Sequence, residues 1–209
     1  KVFPQPDFTP TIYKIKLTKA ESGAYGYEVL EELPLKNTLG ENISGITNNL
    51  TVTDSETSIG TDGELIDYDN AGLDTEAIVR LKDGTFWLTD EYGPSLVHVD
   101  VDGTILKRVV PETVATDLDN AGYPVEGLLP DALKHRKLNR GIESIALSED
   151  EKSLYFIMQS PLAFPDANAY KTSSHVRLFK LALTDGDITS VEGEYVYNMD
   201  RASSYAGLN

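Results

Sequence analysis

The chain has 209 residues, enough for one sizeable domain or for part of a larger one. Its 34 acidic and 18 basic residues give a net charge of −16, which disfavours nucleic acids and anionic membranes as partners because both attract basic surfaces. The absence of cysteine excludes disulfides, thiolate metal sites and a cysteine nucleophile. No apolar run reaches about 18 residues, so the sequence predicts no transmembrane segment.

The first part of the chain predicts a hairpin followed by a long loop. Residues 11–17 alternate apolar and polar side chains, as a half-buried strand does, and residues 27–33 read as the returning strand. We therefore expect residues 1–36 to form the outer hairpin of a four-stranded blade. Residues 37–71 are polar and rich in Gly, Asn, Ser and Thr, which predicts a long loop of the kind that is often functional.

Residues 72–111 predict two consecutive hairpins. Strands at 77–81 and 85–89 flank Asp83-Gly84, and strands at 96–100 and 105–110 flank Asp102-Gly103. Four short antiparallel strands in a row are typical of one propeller blade. Residues 112–140 are polar and contain two prolines, so we expect an insertion with one or two helical turns at 128–137.

Residues 141–198 repeat the same pattern and predict a second blade. Glu143 matches Glu76, Pro161 matches Pro94, and an outer hairpin recurs at 176–183 and 194–197. The sequence thus predicts an all-β fold, a β-propeller of four-stranded antiparallel blades. A closed ring has about 4–8 blades, so we expect this chain to supply only part of it. The remainder is expected on a complementary C-terminal fragment or another chain.

Four carboxylates are the main candidates for chemistry. Glu76 precedes the first strand of residues 72–111, and Asp90 and Glu91 follow the second, so the hairpin should bring all three to one end. Like charges held together need a cation or a basic side chain for compensation. Glu143, at the equivalent position of the next blade, should face the same site.

Hard oxygen ligands of this kind favour calcium, with another divalent metal as the alternative. The metal-ligand candidates are Glu76, Asp90, Glu91 and Glu143. The structural alternative is that one or more of these acids cap turns or pair with Arg80 or Arg140.

Three further residues are candidates for substrate binding. Asn139 and Arg140 stand just before Glu143, and an arginine is well suited to bind a phosphate or carboxylate group. A structural pair between Arg140 and Glu76 or Glu143 is the alternative. Tyr92 either lines the rim of the site or packs beneath it, and packing is favoured.

Other motifs are less informative. Residues 67–72 and 117–122 share the pattern DxDNAG, which begins like a calcium loop but lacks ligands at its fifth and twelfth positions, so Asx-type turns are favoured. No HExxH pair and no GxSxG motif occurs, which disfavours a zinc hydrolase and a serine-triad esterase.

Three segments, GLDTEAIVRLKDGTFWLTDEYGPSLVHVD, LNRGIESIALSEDEKSLYFIMQSPL and VRLFKLAL, resemble the phytase-like family of secreted β-propeller proteins, which are described as having esterase-like activity. The resemblance covers roughly residues 12–197. It implies a β-propeller, a secreted or periplasmic location, and calcium-dependent hydrolysis of a small-molecule phosphoester or ester.

Our working hypothesis assigns the catalytic roles to Glu76, Glu91, Glu143 and Arg140. Calcium would polarise a phosphoryl or acyl oxygen, Arg140 would stabilise charge on the substrate, and a carboxylate not bound to metal would act as general base. Two alternatives stay open: a gluconolactonase-like metal-dependent lactonase, and a non-catalytic binding module stabilised by calcium. Whether the chain is an enzyme therefore stays open as well.

Overall fold

The computed structural model describes residues 1–200. The chain is mostly β, with 44% of its residues in strands and 8% in helices, and none of its described sheets closes on itself. The strands are β1 (Val2–Phe3), β2 (Thr11–Lys19), β3 (Tyr25–Pro34), β4 (Ile59–Gly60), β5 (Thr75–Arg80), β6 (Phe86–Asp90), β7 (Ser95–Val99), β8 (Ile105–Pro111), β9 (Val125–Leu129), β10 (Ile142–Leu147), β11 (Ser153–Met158), β12 (His175–Thr184) and β13 (Asp187–Asn198).

Strands β5 to β8 form an antiparallel meander in chain order, and its turns fall where the sequence predicts them. Gly84 and Gly103 adopt φ of 100° and 88°, a conformation that glycine adopts without steric cost. In the first turn Asp83 accepts a hydrogen bond from the backbone N–H of Thr85 at 2.9 Å. The two DG pairs therefore specify the hairpins through local chemistry.

Strands β10 to β13 form the second meander, also antiparallel and in chain order. Its outer strands are longer than the sequence predicts, because β12 and β13 pair along almost their whole lengths through two register shifts. The two meanders are the sheets expected from the repeat in the sequence.

Residues 112–140, which the sequence predicts to be an insertion, add a fifth strand to the first sheet. This strand was not predicted. Strand β9 pairs with β8 in parallel, from Arg108 opposite Val125 to Pro111 opposite Leu129. The rest of this segment contains two 3-10 helices, Glu112–Leu118 and Asp131–His135. The second lies within residues 128–137, where the sequence predicts one or two helical turns, and the first was not predicted. Pro124 and Pro130 bracket the short strand.

The two large sheets pack face to face through one hydrophobic core. Trp87, Leu96 and Val109 of the first sheet meet Phe156, Phe179 and Leu181 of the second, and all six side chains are at most 1% exposed. Trp87 also donates its indole N–H to the carbonyl of Gly186, in the β12–β13 turn, at 2.9 Å. This packing places the first strands of the two sheets, β5 and β10, side by side.

The hairpin β2–β3 forms a separate two-stranded sheet with one apolar face. Only its base packs against the rest of the chain, where Ile12 and Leu33 contact a second hydrophobic core that includes Leu35, Leu73 and Val97. One face bears cross-strand pairs of opposite charge, Lys14 with Glu31 and Lys16 with Glu28. The other face bears six apolar or aromatic side chains, each 42–74% exposed: Tyr13, Ile15, Leu17, Tyr25, Tyr27 and Val29.

Residues 37–71 contain one short strand, β4. They pack closely against the first large sheet rather than extending into solvent. Asn48 is 1% exposed and donates hydrogen bonds to the carbonyls of Asp69 and Gly72. The two DxDNAG segments are linked directly, because the Asn70 amide donates to the carbonyl of Asp117 and to the side-chain oxygen of Asn120. Asp69 accepts a hydrogen bond from the backbone N–H of Ala71, which is the expected Asx-type turn.

No helix in residues 1–200 is both long enough and apolar enough to cross a membrane.

Candidate functional site

The ends of β5 and β6 bring several acidic residues to one place. Thr75 of β5 pairs with Asp90 of β6, so Glu76 lies inside β5 and Glu91 directly follows β6. The register shifts between Thr75 and Ile78, which alters the direction of the side chains at this end of the hairpin. The backbone carbonyl of Asp74, just before β5, accepts a hydrogen bond from the backbone N–H of Glu91 at 3.1 Å.

Three carboxylates converge at this end, and we call Asp74, Glu76 and Glu91 the acidic cluster. One oxygen from each lies within 4.8 Å of the others. Glu76 is exposed, Asp74 is partly exposed, and Glu91 is buried with only 2% of its surface accessible. A buried carboxylate held beside two others is subject to repulsion that a bound cation would relieve.

The electrostatics of the acidic cluster show that its charges are not fully compensated. Burial, together with the nearby carboxylates of Asp74, Glu76 and Glu143, raises the pKa of Glu91 to about 8. Burial and the carboxylates of Asp74 and Glu143 raise the pKa of Glu76 as well. The ammonium group of Lys1 offsets part of this repulsion, since it lies 2.5 Å from a carboxylate oxygen of Asp74. The cluster therefore favours the approach of a cation.

Glu143 lies in β10, beside β5, close enough for its charge to act on both Glu76 and Glu91. Its carboxylate is not among the three that converge within 4.8 Å. Gly141 explains how β10 comes so near: a Cβ at this position would lie 2.3 Å from the carbonyl oxygen of Glu91. Only a glycine permits this approach between the two sheets.

Asp90 occupies a different environment from the one expected of a metal ligand. It is fully buried, and one carboxylate oxygen lies 2.7 Å from the guanidinium group of Arg108, which is also fully buried. The same oxygen accepts a hydrogen bond from Ser95, and the other accepts one from the backbone N–H of Asp74. Both oxygens are thus used within the protein, and the partner is Arg108 instead of Arg80 or Arg140. Asp90 therefore fixes the backbone of Asp74 through this last hydrogen bond.

Arg140 makes no ion pair with Glu76 or Glu143. Its guanidinium group lies 5.8 Å from the centre of the Tyr170 ring, and the ammonium groups of Lys137 and Lys171 lie 5.9 Å from the same centre. None of these three cations has a carboxylate within 4.0 Å among the described residues. They form a small positive patch in an acidic protein. Its position, next to Gly141, is at the same end of the sheets as the acidic cluster.

Tyr92 and Asn139 are packed into the structure near the acidic cluster. Tyr92 is 5% exposed, donates its hydroxyl to the carbonyl of Gly45 at 2.9 Å, and has its pKa raised by burial. Asn139 adopts a positive φ of 54° and lines a very small cavity with Tyr92 and Arg136. Both residues therefore have evident structural roles.

The acidic cluster has the ligand type and the spacing that a hard divalent cation such as calcium requires. Calcium is bound by oxygen atoms at about 2.3–2.6 Å, so two of its ligands are at most about 5.2 Å apart. The three oxygens of the cluster lie within 4.8 Å of one another, which is inside that limit. The donor set is entirely carboxylate, which suits a hard cation better than zinc or copper.

Sequence reasoning missed Asp74 and Arg108. The signal for Asp74 was present, because residues two apart in a strand point to the same face and Asp74 precedes Glu76 by two. Arg108 had no such signal, since an arginine next to Lys107 in a strand is normally read as solvent-exposed.

Comparison with known proteins relates the chain to a protein family and to a protein of a fungus. The family model described as "Phytase-like: Esterase-like activity of phytase" matches residues 5–209. A protein of Arthroderma benhamiae described as an "uncharacterized secreted protein" is 31% identical over 102 residues. The aligned residues are 43% of this chain and only 20% of that protein, so the match spans about a fifth of the relative's length.

Proposed function

The chain belongs to the phytase-like family, and on that premise we propose that it is part of a secreted, calcium-dependent hydrolase of phosphoesters or carboxylic esters. The observation that carries the proposal is the acidic cluster, in which the buried carboxylate of Glu91 lies beside those of Asp74 and Glu76. The secreted location is supported by the description of the Arthroderma relative as a secreted protein.

Each side chain has a role that its position supports. Asp74, Glu76 and Glu91 would hold the ion, which when bound would polarise a phosphoryl or acyl oxygen of the substrate. Glu143, close to the cluster but outside it, would accept a proton from an attacking water as general base. Arg140, with Lys137 and Lys171, would attract a negatively charged group of the substrate.

The two large sheets are, in this proposal, neighbouring blades of a β-propeller. The β2–β3 hairpin would be the outer half of the preceding blade, and its apolar face would be covered by another segment that completes the ring. Exposed apolar patches of this kind mark surfaces that pack against a partner.

Hydrogen exchange tests this arrangement. The backbone amides at the free edge of β2 should exchange within seconds in the 209-residue chain and be protected in a longer form of the protein. Equally fast exchange in both forms would contradict the propeller.

The test of the function begins with the metal. Calcium should bind the parent chain in calorimetry and raise its melting temperature, because a ligand that binds only the folded state stabilises it. Asp74→Asn and Glu91→Gln should each lower the calcium affinity at least tenfold, whereas Glu64→Gln, at an exposed turn, should leave it unchanged. Binding that is equal in all four proteins would refute the site.

Activity is then measured with p-nitrophenyl phosphate, p-nitrophenyl acetate and a small lactone, each with and without calcium. Hydrolysis of either p-nitrophenyl compound that requires calcium, Glu76 and Glu143 supports the proposal. Turnover of the lactone alone would favour the lactonase. A calcium-dependent rise in melting temperature with no turnover of any substrate would favour a non-catalytic module.

A further inference from the structure

A cavity of about 590 Å³ opens beside the acidic cluster. Asp74 belongs both to its wall and to the cluster, and Thr75 and Tyr92 also line it. This volume lies within the range of about 300–1,000 Å³ that is typical of small-molecule sites. A substrate held in this cavity would therefore present one end to the carboxylates of the cluster.

The cavity wall is mainly apolar. Its apolar and aromatic side chains come from the N-terminal segment, from the loop at residues 37–71 and from the two ends of the β5–β6 hairpin strands near the acidic cluster. They are Val2, Phe3, Pro4, Phe8, Pro10, Ile46, Leu73 and Tyr92. The hydroxyl of Tyr92 is already bonded to the carbonyl of Gly45, so the wall presents mainly the apolar ring. A wall of this composition favours hydrocarbon over charged groups.

Among residues 1–200, the wall offers no unpaired basic side chain to a phosphate. Its charged side chains are Lys1 and Asp74, and they pair with each other at 2.5 Å. The ammonium group of Lys1 also lies 4.8 Å from the centre of the Tyr92 ring, which holds it against the wall. A polyanion such as an inositol polyphosphate would therefore find no unpaired basic side chain in the described wall of this cavity.

We propose that this cavity is the acyl-binding subsite for the reaction at the acidic cluster, and that the substrate is a carboxylic ester with an uncharged, apolar acyl group. The inference rests on the proposed function for its chemistry, but the subsite itself makes a separate prediction about binding. An acyl chain in the cavity would place its carbonyl beside Asp74 and the chain against Phe8 and Ile46.

The first experiment varies the acyl chain. With calcium present, kcat/KM for p-nitrophenyl esters should rise from acetate through butyrate to hexanoate by up to about fourfold per added methylene, since each buried CH₂ is worth about 0.8 kcal/mol. A kcat/KM that is flat across the series would overturn the subsite.

A matched pair of variants locates the effect. Phe8 is 55% exposed and Leu39 is 80% exposed, so a glutamate at either position should leave the fold intact. Phe8→Glu should abolish the preference for hexanoate, because it places a charge in the wall of the cavity. Leu39→Glu lies outside the cavity and should retain the preference. An equal response of the two variants would contradict the assignment.

Binding without turnover separates this inference from the proposed function. N-methylhexanamide resembles the ester but is not hydrolysed readily, and its binding can be followed by saturation-transfer NMR. Binding that is lost in Phe8→Glu and kept in Leu39→Glu supports the subsite even if no ester is hydrolysed, in which case the hydrolase proposal alone fails. Calcium-dependent hydrolysis of p-nitrophenyl phosphate without amide binding would refute the subsite alone.

Discussion

Replacing Arg108 by methionine would leave the carboxylate of Asp90 buried without its cation. Both side chains are fully buried, and the guanidinium group reaches Asp90 at 2.7 Å, Ser95 at 2.8 Å and Asn48 at 3.0 Å. Methionine keeps most of the side-chain length but makes none of these contacts. Removing one member of a buried ion pair costs about 3–5 kcal/mol, because an uncompensated charge stays behind.

The expected loss can be compared with that of an exposed pair in the same chain. Lys36 and Asp102 form an ion pair at 3.1 Å whose side chains are 27% and 57% exposed. Such pairs contribute about 0–1 kcal/mol, since water and salt screen them. Lys36→Met should therefore lower the free energy of unfolding by at most about 1 kcal/mol, several times less than Arg108→Met.

The assay is urea unfolding at pH 7 followed by circular dichroism, for the parent, Arg108→Met, Lys36→Met and the double variant Asp90→Asn with Arg108→Met. The double variant should recover at least half of the loss, because asparagine removes the buried charge and can still accept the hydrogen bond from Asp74. A loss below about 1 kcal/mol for Arg108→Met, equal to that of the exposed pair, would refute the reasoning.

Two further predictions concern the junction of the sheets and the behaviour in acid. Gly141→Ala should lower both the melting temperature and the calcium affinity, because the added Cβ would lie 2.3 Å from the Glu91 carbonyl oxygen. Gly26→Ala is the control, since its Cβ would meet only the movable Thr18 hydroxyl at 3.2 Å. Melting and calorimetric measurements on the control should match those of the parent. Hydrogen bonds from Thr104, assisted by Lys36, hold the pKa of Asp102 at about 2, below its ordinary value of 3.8. Its contribution to stability is therefore complete above about pH 4 and lost as the pH falls through 2, and a carboxyl NMR titration midpoint near 3.8 would contradict this.

The hairpins of the two large sheets could be predicted because their signals are local. Asp83-Gly84 and Asp102-Gly103 specify their turns within four residues, and the flanking apolar alternation specifies the strands. Strand β9 could not be predicted in the same way. It pairs in parallel with β8 after an excursion of more than a dozen residues, and parallel pairing leaves no turn signal in the sequence.

The candidate site was predictable in place but not in detail. The convergence of Glu76 and Glu91 at one end of the hairpin follows from antiparallel pairing alone. That the third acid of the cluster is Asp74 and not Asp90 does not follow from pairing alone. It depends on the register shift after Thr75 and on the ion pair of Asp90 with the buried Arg108, which comes from a strand two places along the sheet. Register shifts and long-range ion pairs arise from packing, which a single sequence does not display.

Trp87 gives the protein an optical reporter of its own. It is the only tryptophan in the chain, it is fully buried between the two large sheets, and its indole N–H is bonded to the second sheet at Gly186. Its ring also stacks on His98, 4.5 Å between centres. Separation of the sheets would expose the indole to water and shift its emission to longer wavelength. Every variant that disturbs the junction can therefore be followed by fluorescence without a label.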